Sequence, residues 1–236
     1  LSFNAAGFAL FSISDEQSKA VEHAMSRTLE AQALECVRGG RRLFQSLSFS
    51  LGPGELLEVS GANGSGKTSL LRMLCGLLSP ASGEILWQGA NISKLKEEYL
   101  KSLAYLGHAN GVKAELSAAE NLRVACGING VSSNGEKIGA ALKQMGLGES
   151  AARPAKTLSQ GQQRRLALAR LLVGEKALWI LDEPIAALDS GGVRLVQAAL
   201  EAHLEENGMA VLTTHQPLDV RAGRTTRIHL APQSEH

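Results

Sequence analysis

Gly61-Ala62-Asn63-Gly64-Ser65-Gly66-Lys67-Thr68 fits the pattern GxxxxGK[ST]. The residues before it, Leu56-Leu57-Glu58-Val59-Ser60, read as a short buried strand. Those after it place Leu70, Leu71, Met73, Leu74, Leu77 and Leu78 at helical spacing. A glycine-rich loop between a strand and a helix is the context in which this pattern cradles phosphate. Its glycines let backbone N–H groups converge on phosphate oxygens, and the helix N-terminus adds the positive end of its dipole. Lys67 is placed for the β- and γ-phosphates, and the Thr68 hydroxyl suits Mg²⁺. The candidate nucleotide-binding segment is therefore Gly61, Ala62, Asn63, Gly64, Ser65, Gly66, Lys67, Thr68 and Ser69.

Upstream, Leu29–Val37 and Leu43–Leu51 read as a hairpin of alternating strands joined by Arg38–Arg42, and Pro53-Gly54 turns the chain into the strand before the loop. Downstream, Ser79–Gly83 breaks the helix. A strand pair then brackets a short polar helix and ends at Leu103–Leu106. Residues from about 113 to 157 read as helices with glycine-rich breaks, and the helical stretch as a whole, about 113–172, reads as an inserted subdomain. After it come the strand Ala177–Leu181, a helix from about Gly192 to Glu206, the strand Ala210–Thr213 and a last strand near Arg227–Leu230. Strands alternating with helices imply a mostly parallel sheet. The fold class is α/β, a P-loop NTPase whose parallel core carries an N-terminal antiparallel β subdomain.

Two further segments carry chemistry. Four apolar residues run into Asp182-Glu183, and ligands of open α/β sheets bind at the carboxyl ends of strands. That places Asp182 beside the phosphate loop to hold Mg²⁺ through water, and Glu183 to polarise an attacking water. Leu158-Ser159-Gln160-Gly161-Gln162 is a capping box, Ser159 followed three residues later by Gln162, opening a helix through Leu166–Arg170.

A phosphate loop, LSQGQ, LWILDEP, Ala187-Leu188-Asp189 and Thr213-Thr214-His215, in that order, resemble the ATP-binding subunits of ABC transporters. The resemblance runs from Leu29 to Leu230. It implies two subunits paired head to tail, with Ser159, Gly161 and Gln162 of one closing over ATP held by the other. It also implies Asp189 at the dimer seam and His215 at the γ-phosphate and hydrolytic water. One chain carries one set of motifs, so a homodimer or a pair with another ABC subunit is expected, with ATP and Mg²⁺ as cofactors.

Where that family has a glutamine after Ala104–Gly107, this chain has His108. The family's glutamine touches Mg²⁺ and water and relays nucleotide state to the membrane partner. Neutral imidazole could do the same; a surface-loop role is the alternative. Where that family stacks an aromatic on adenine, near Arg38, this chain has no Tyr, Phe or Trp; the Arg38 guanidinium could stack instead or simply be solvated. Tyr105–His108, Gly111–Leu116, Glu120–Arg123, Gly161–Arg165, Leu178–Pro184 and Leu212–Gln216 look like the ATP-binding subunits of the cytochrome c maturation (haem exporter) system. Ala109-Asn110 departs from that wording, which has Gln-Pro. The resemblance implies coupling of ATP hydrolysis to haem delivery, or to release of a haem-loaded chaperone. It also implies integral membrane partners and a peripheral place on the cytoplasmic face of the bacterial inner membrane. Without CxxCH or a cysteine–histidine cluster, direct haem binding is not expected.

Size and charge agree with one α/β domain of 236 residues, read as 25–236. Residues 1–24 read as a non-native or disordered extension ahead of a start at Met25. Lys and Arg exceed Asp and Glu by 24 − 23 = +1, so no global field favours nucleic acid. Cys36, Cys75 and Cys126 read as buried reduced thiols. No apolar run reaches the roughly 20 residues that span a bilayer. The alternatives are another ABC exporter or a soluble ABC ATPase of the iron–sulfur assembly type. A two-site translation factor would need two motif sets, and a chromosome-maintenance ATPase a long heptad insertion.

Overall fold

The computed structural model describes residues 28–216 and 218–231. The start at Met25 and the reading of residues 1–24 lie outside them. β1 (Leu29–Arg38) and β2 (Arg41–Leu51) form the expected antiparallel hairpin. Its turn is only Gly39-Gly40, both at positive φ as a tight primed turn requires. The flanking arginines are therefore paired strand residues, Arg38 with Arg41. Alternation is not regular. The register slips on both sides of Leu34, and Ala33 and Ser46 adopt φ 48° and 54°, which marks bulges. β4 (Ser82–Trp87) pairs antiparallel with β1, and β5 (Ala90–Asn91) completes the order β2-β1-β4-β5. At the bulge a Cβ on Gly83 would lie 2.4 Å from the Gln32 carbonyl oxygen, so only glycine fits there.

The second sheet has the order β6-β7-β8-β3-β9, every pair parallel: β6 (Leu103–Leu106), β7 (Leu178–Asp182), β8 (Met209–Thr213), β3 (Glu55–Gly61) and β9 (Arg224–Leu230). The strand pair expected around the polar helix is split, because β4 joins the antiparallel sheet and β6 the parallel one. Between them lie the short helices α2 (Ile92–Leu95) and α3 (Glu97–Ser102).

α1 (Lys67–Leu74) is shorter than its apolar spacing indicated. Gly76 takes φ 69°; its N–H donates to Met73 O and that of Leu77 to Arg72 O, a Schellman stop. Leu77 and Leu78 therefore lie beyond the helix, Leu77 being 66% exposed. Helices α4 (Ala118–Ile128), α5 (Gly135–Gln144), α6 (Gln160–Gly174) and α7 (Ser190–Glu205) follow.

The parallel strands sort their side chains by parity, as the two-residue period demands. Leu57, Val59, Leu178, Ile180, Met209 and Val211 face α1 and the antiparallel sheet. Leu56, Trp179, Leu181, Ala210 and Leu212 face α4–α7. α1 is thus enclosed between two sheets, with α4–α7 on the far side of the parallel one. All three cysteines are buried, and burial pushes the Cys75 thiol up to about 12.

On the helical side the His203 ring of α7 stacks on Trp179, centroids 4.0 Å apart and planes 7° from parallel. Burial pushes this imidazole down to about 4, against the contrary pull of the Met209 carbonyl. A group whose folded pKa lies below its unfolded value binds more protons when unfolded. Its contribution is complete above the ordinary histidine pKa and is lost as pH falls towards 4. The loss between pH 7 and 4 amounts to at most about 3 kcal/mol. Urea unfolding at pH 7 and pH 5 should show a smaller acid loss in His203→Phe, which keeps the stack without the titration; equal losses would remove His203 as the cause.

Candidate active site

Parallel pairing sets which residues meet. Val59 lies opposite Thr213, Thr213 opposite Asp182, and Leu181 opposite Leu106. The carboxyl ends of β3, β8, β7 and β6 therefore open side by side, releasing Ala62, Thr214, Glu183 and Gly107 at one edge.

The phosphate loop is shaped by contacts no side chain could share. Gly61 adopts φ 145°, and a Cβ there would lie 2.5 Å from Leu230 O and 2.7 Å from Ser65 Oγ. Gly66, the N-cap of α1, lies against Phe44 of β2. Lys67 is 7% exposed and folds its Nζ back on the Gly61 and Ala62 carbonyls, at 2.8 and 3.2 Å. Ser65 Oγ is buried without a partner. The buried Ser65 hydroxyl and the Lys67 ammonium, together at the start of α1, fit an anion of the phosphate type.

Asp182, 4% exposed, is the centre of a hydroxyl network. Thr68 Oγ1 donates to Oδ2 at 2.9 Å, and Thr213 Oγ1 donates to Oδ1 at 2.7 Å. Thr213 in turn accepts from the Glu183 N–H at 2.9 Å. Glu183 leaves the strand at φ 50°, a left-handed conformation costly for a side-chain-bearing residue, and its Oε1 lies 2.9 Å from His215 Nε2. Glu183, Ile185, Leu188, Thr214 and His215 line a cavity of about 200 Å³, enough for a few waters. The paired Thr68 and Asp182 oxygens are the hard donor set that Mg²⁺ takes, so these residues fit that ion.

The residues matched by the family model for ABC transporters are 44–186, more than half of the chain. The chain belongs to the ABC transporter family. It is 53% identical over 203 residues to the cytochrome c biogenesis ATP-binding export protein CcmA of Nitrosospira multiformis, covering 86% of this chain and 98% of that one. It is also 53% identical to CcmA of Nitrosomonas europaea, over 80% and 89% of the two chains. It is 46% identical to CcmA of Pseudomonas aeruginosa, over 85% and 98%. Among solved structures, an ABC transporter ATP-binding protein from Pyrococcus furiosus superposes with TM-score 0.76, covering 85% of this chain and 96% of that one at 24% identity. The P-loop ABC fold with one antiparallel and one parallel sheet is therefore as expected, and the chain is a CcmA-like ABC ATP-binding protein and an ATPase.

The ABC motifs fall into two groups. Lys67, Thr68, Asp182, Glu183 and His215 converge. Ser159, Gly161 and Gln162 stand at the start of α6, where the capping box forms: Ser159 Oγ accepts from Gln162 N–H at 3.2 Å, and Gln162 Oε1 from Ser159 N–H at 2.9 Å. Ser159 is exposed, and Gly161 lies against Ala187 O. Asp189 caps α7 through the Gly192 N–H at 2.7 Å. His108 is exposed just past the end of β6, and Arg38 is exposed in the hairpin.

Sequence reading missed Phe44, Thr213 as a bridge, and Arg164. Arg164 gave a signal, because it shares the buried face of α6 with Leu168 and Leu171, where an arginine is rare. No local pattern marks the other two. Thr213→Val should cost about 2 kcal/mol by leaving Asp182 Oδ1 and the Glu183 N–H unpaired in the interior. Thr213→Ser should recover most of it, and denaturant midpoints of the two variants check this.

Proposed function

We propose that this chain is the ATP-hydrolysing subunit of a membrane export complex serving cytochrome c maturation, acting as a homodimer or paired with another ABC subunit. Residues 25–236 form one ABC domain in this reading, with 113–172 as its helical subdomain. The observation that carries it is the split of the motifs. Lys67, Asp182, Glu183 and His215 share one edge, while Ser159 stands exposed with its hydroxyl spent on its own cap. A second copy brings its Ser159, Gly161 and Gln162 over the γ-phosphate, with Asp189 at the seam.

ATP enters with its phosphates on the Gly61–Ser69 loop, and Lys67 Nζ exchanges the Gly61 and Ala62 carbonyls for β- and γ-phosphate oxygens. Thr68 and Asp182 hold Mg²⁺, which when bound neutralises phosphate charge. Glu183 Oε1 orients the attacking water, and His215 fixes that carboxylate while reaching the γ-phosphate. The water oxygen bonds to the γ-phosphorus as the bond to the bridging oxygen of ADP breaks, and the water proton passes to phosphate. Little covalent work falls to the protein, so rate comes from positioning and charge stabilisation. His108, just past the end of β6, would contact the ion or its water when bound and relay nucleotide state to the membrane partner.

The relatives are named for cytochrome c biogenesis and export. In this reading closure drives haem delivery, or release of a haem-loaded chaperone, by integral membrane subunits, without this chain touching haem. Among the described residues no helix is long and apolar enough to cross a membrane. In this reading the chain is a peripheral subunit on the cytoplasmic face of the bacterial inner membrane.

Glu183→Gln should lower ATP turnover about a hundredfold or more, the scale of losing one preorganised group at the reacting centre, while ATP binding persists and trapped dimers accumulate in gel filtration. Turnover surviving that change would undo the mechanism. Co-purification of the full chain with an integral membrane protein tests the transport reading, and a chain found alone in membrane-solubilised extracts would remove it.

A further inference from the structure

Arg164, in the second turn of α6, is 4% exposed. Its guanidinium has five N–H groups, and five acceptors surround it. Nη2 donates to the carbonyls of Asp182 and Glu183, both at 2.7 Å, and Nε to that of Pro184 at 3.3 Å. Nη1 donates to Gly107 O at 3.0 Å and Asn110 Oδ1 at 3.1 Å. The left-handed turn at Glu183 brings two successive carbonyls onto one nitrogen, and the other arm reaches the loop that carries His108. A buried cation is tolerated only when such a set is complete. Asn110 supplies the one side-chain acceptor, at a position where the resembled wording has proline, which offers none.

We propose that Arg164 is a positioning residue for ATP hydrolysis, fixing the backbone of Glu183 and, through Asn110, holding the His108 loop in register with it. The three segments concerned are the helix that opens with Ser159, the end of β7 and the loop after β6. Arg164 joins them in one rigid fork, so the water-orienting carboxylate and the loop share a geometry set from α6. Arg170 of the same helix also holds the loop, but only by the Asn110 and Gly111 carbonyls, at 3.2 and 2.9 Å. Removing the Asn110 side chain therefore breaks one of the two Arg164 contacts with the loop and leaves the loop attached through the Gly107 carbonyl and Arg170. The inference rests on the reading of Glu183 as the water-orienting carboxylate.

ATP turnover of the full chain is measured in Asn110→Ala, Asn110→Asp, Arg164→Lys, the Arg164→Lys/Asn110→Ala double variant and Glu183→Gln. Asn110→Ala should lower kcat about fivefold, equivalent to about 1 kcal/mol of barrier, with KM for ATP and thermal midpoint nearly unchanged. Asn110→Asp should restore it, since a carboxylate accepts from guanidinium more strongly than an amide. Arg164→Lys should lower kcat by roughly fiftyfold or more, because three N–H donors on one nitrogen cannot serve five acceptors. The double variant should be no slower than Arg164→Lys, the signature of one shared interaction. An unchanged kcat in Asn110→Ala, an Asn110→Asp as slow as the alanine, or a loss that tracks KM would each overturn the proposal. If Arg164→Lys fails to fold, the two Asn110 variants decide. Glu183→Gln separates the readings. An inactive Glu183→Gln beside a fully active Asn110→Ala defeats this inference alone, whereas an active Glu183→Gln defeats the reading beneath it.

Discussion

A carboxylate with almost no access to water, Asp182, holds the edge of the candidate site together. A buried charge of this kind survives only with donors on both oxygens. One donor, Thr68, belongs to the first turn of α1, and the other, Thr213, to the last residue of β8. The phosphate loop, the end of β7 and the end of β8 are thereby bound through a single group. Thr213 extends the tie to the Glu183 amide, so the carboxylate facing the cavity is held by the same network. Any shift in the register of β7 on β8 would leave a buried charge unpaired, which makes the register of the parallel sheet part of the site.

The layers around this edge explain why it can be so tightly built. α1 lies between two sheets and is bound on both faces, so the lysine and threonine that open it have little freedom. The antiparallel sheet reaches the site directly, through Phe44 against Gly66. On the other face, α6 reaches it through Arg164. The backbone at this edge is thus clamped from both sides of the parallel sheet, by an aromatic ring on one side and a guanidinium on the other. The strain at Glu183 is held in place by that clamp.

The motifs were legible because their chemistry is local. A phosphate loop needs its glycines within eight residues, a capping box needs four, and the acidic pair needs only a buried strand ending beneath it. The parallel core was legible from strands alternating with helices, and the hairpin from Gly39-Gly40. Where the reading slipped, distant contacts decided the outcome. Gly76 ended α1 before its apolar spacing ran out. β4 left its expected neighbour for β1, because the antiparallel sheet offered its edge. Bulges at Ala33 and Ser46 broke an alternation that the residue types alone would have continued.

By itself, the order of residues determined that this chain carries a phosphate-loop pattern at Gly61–Thr68 and belongs among ABC ATP-binding proteins, since short motif spacing is a property of neighbouring residues. Only the tertiary structure decided which groups complete the site. Thr213 and Asp182 lie 31 positions apart, and Thr68 and Asp182 lie 114 apart. Arg164 meets Gly107 across 57 positions. Such pairs are chosen by strand register and by the energy of leaving a buried polar group unpaired, and neither is written in any single stretch of the chain.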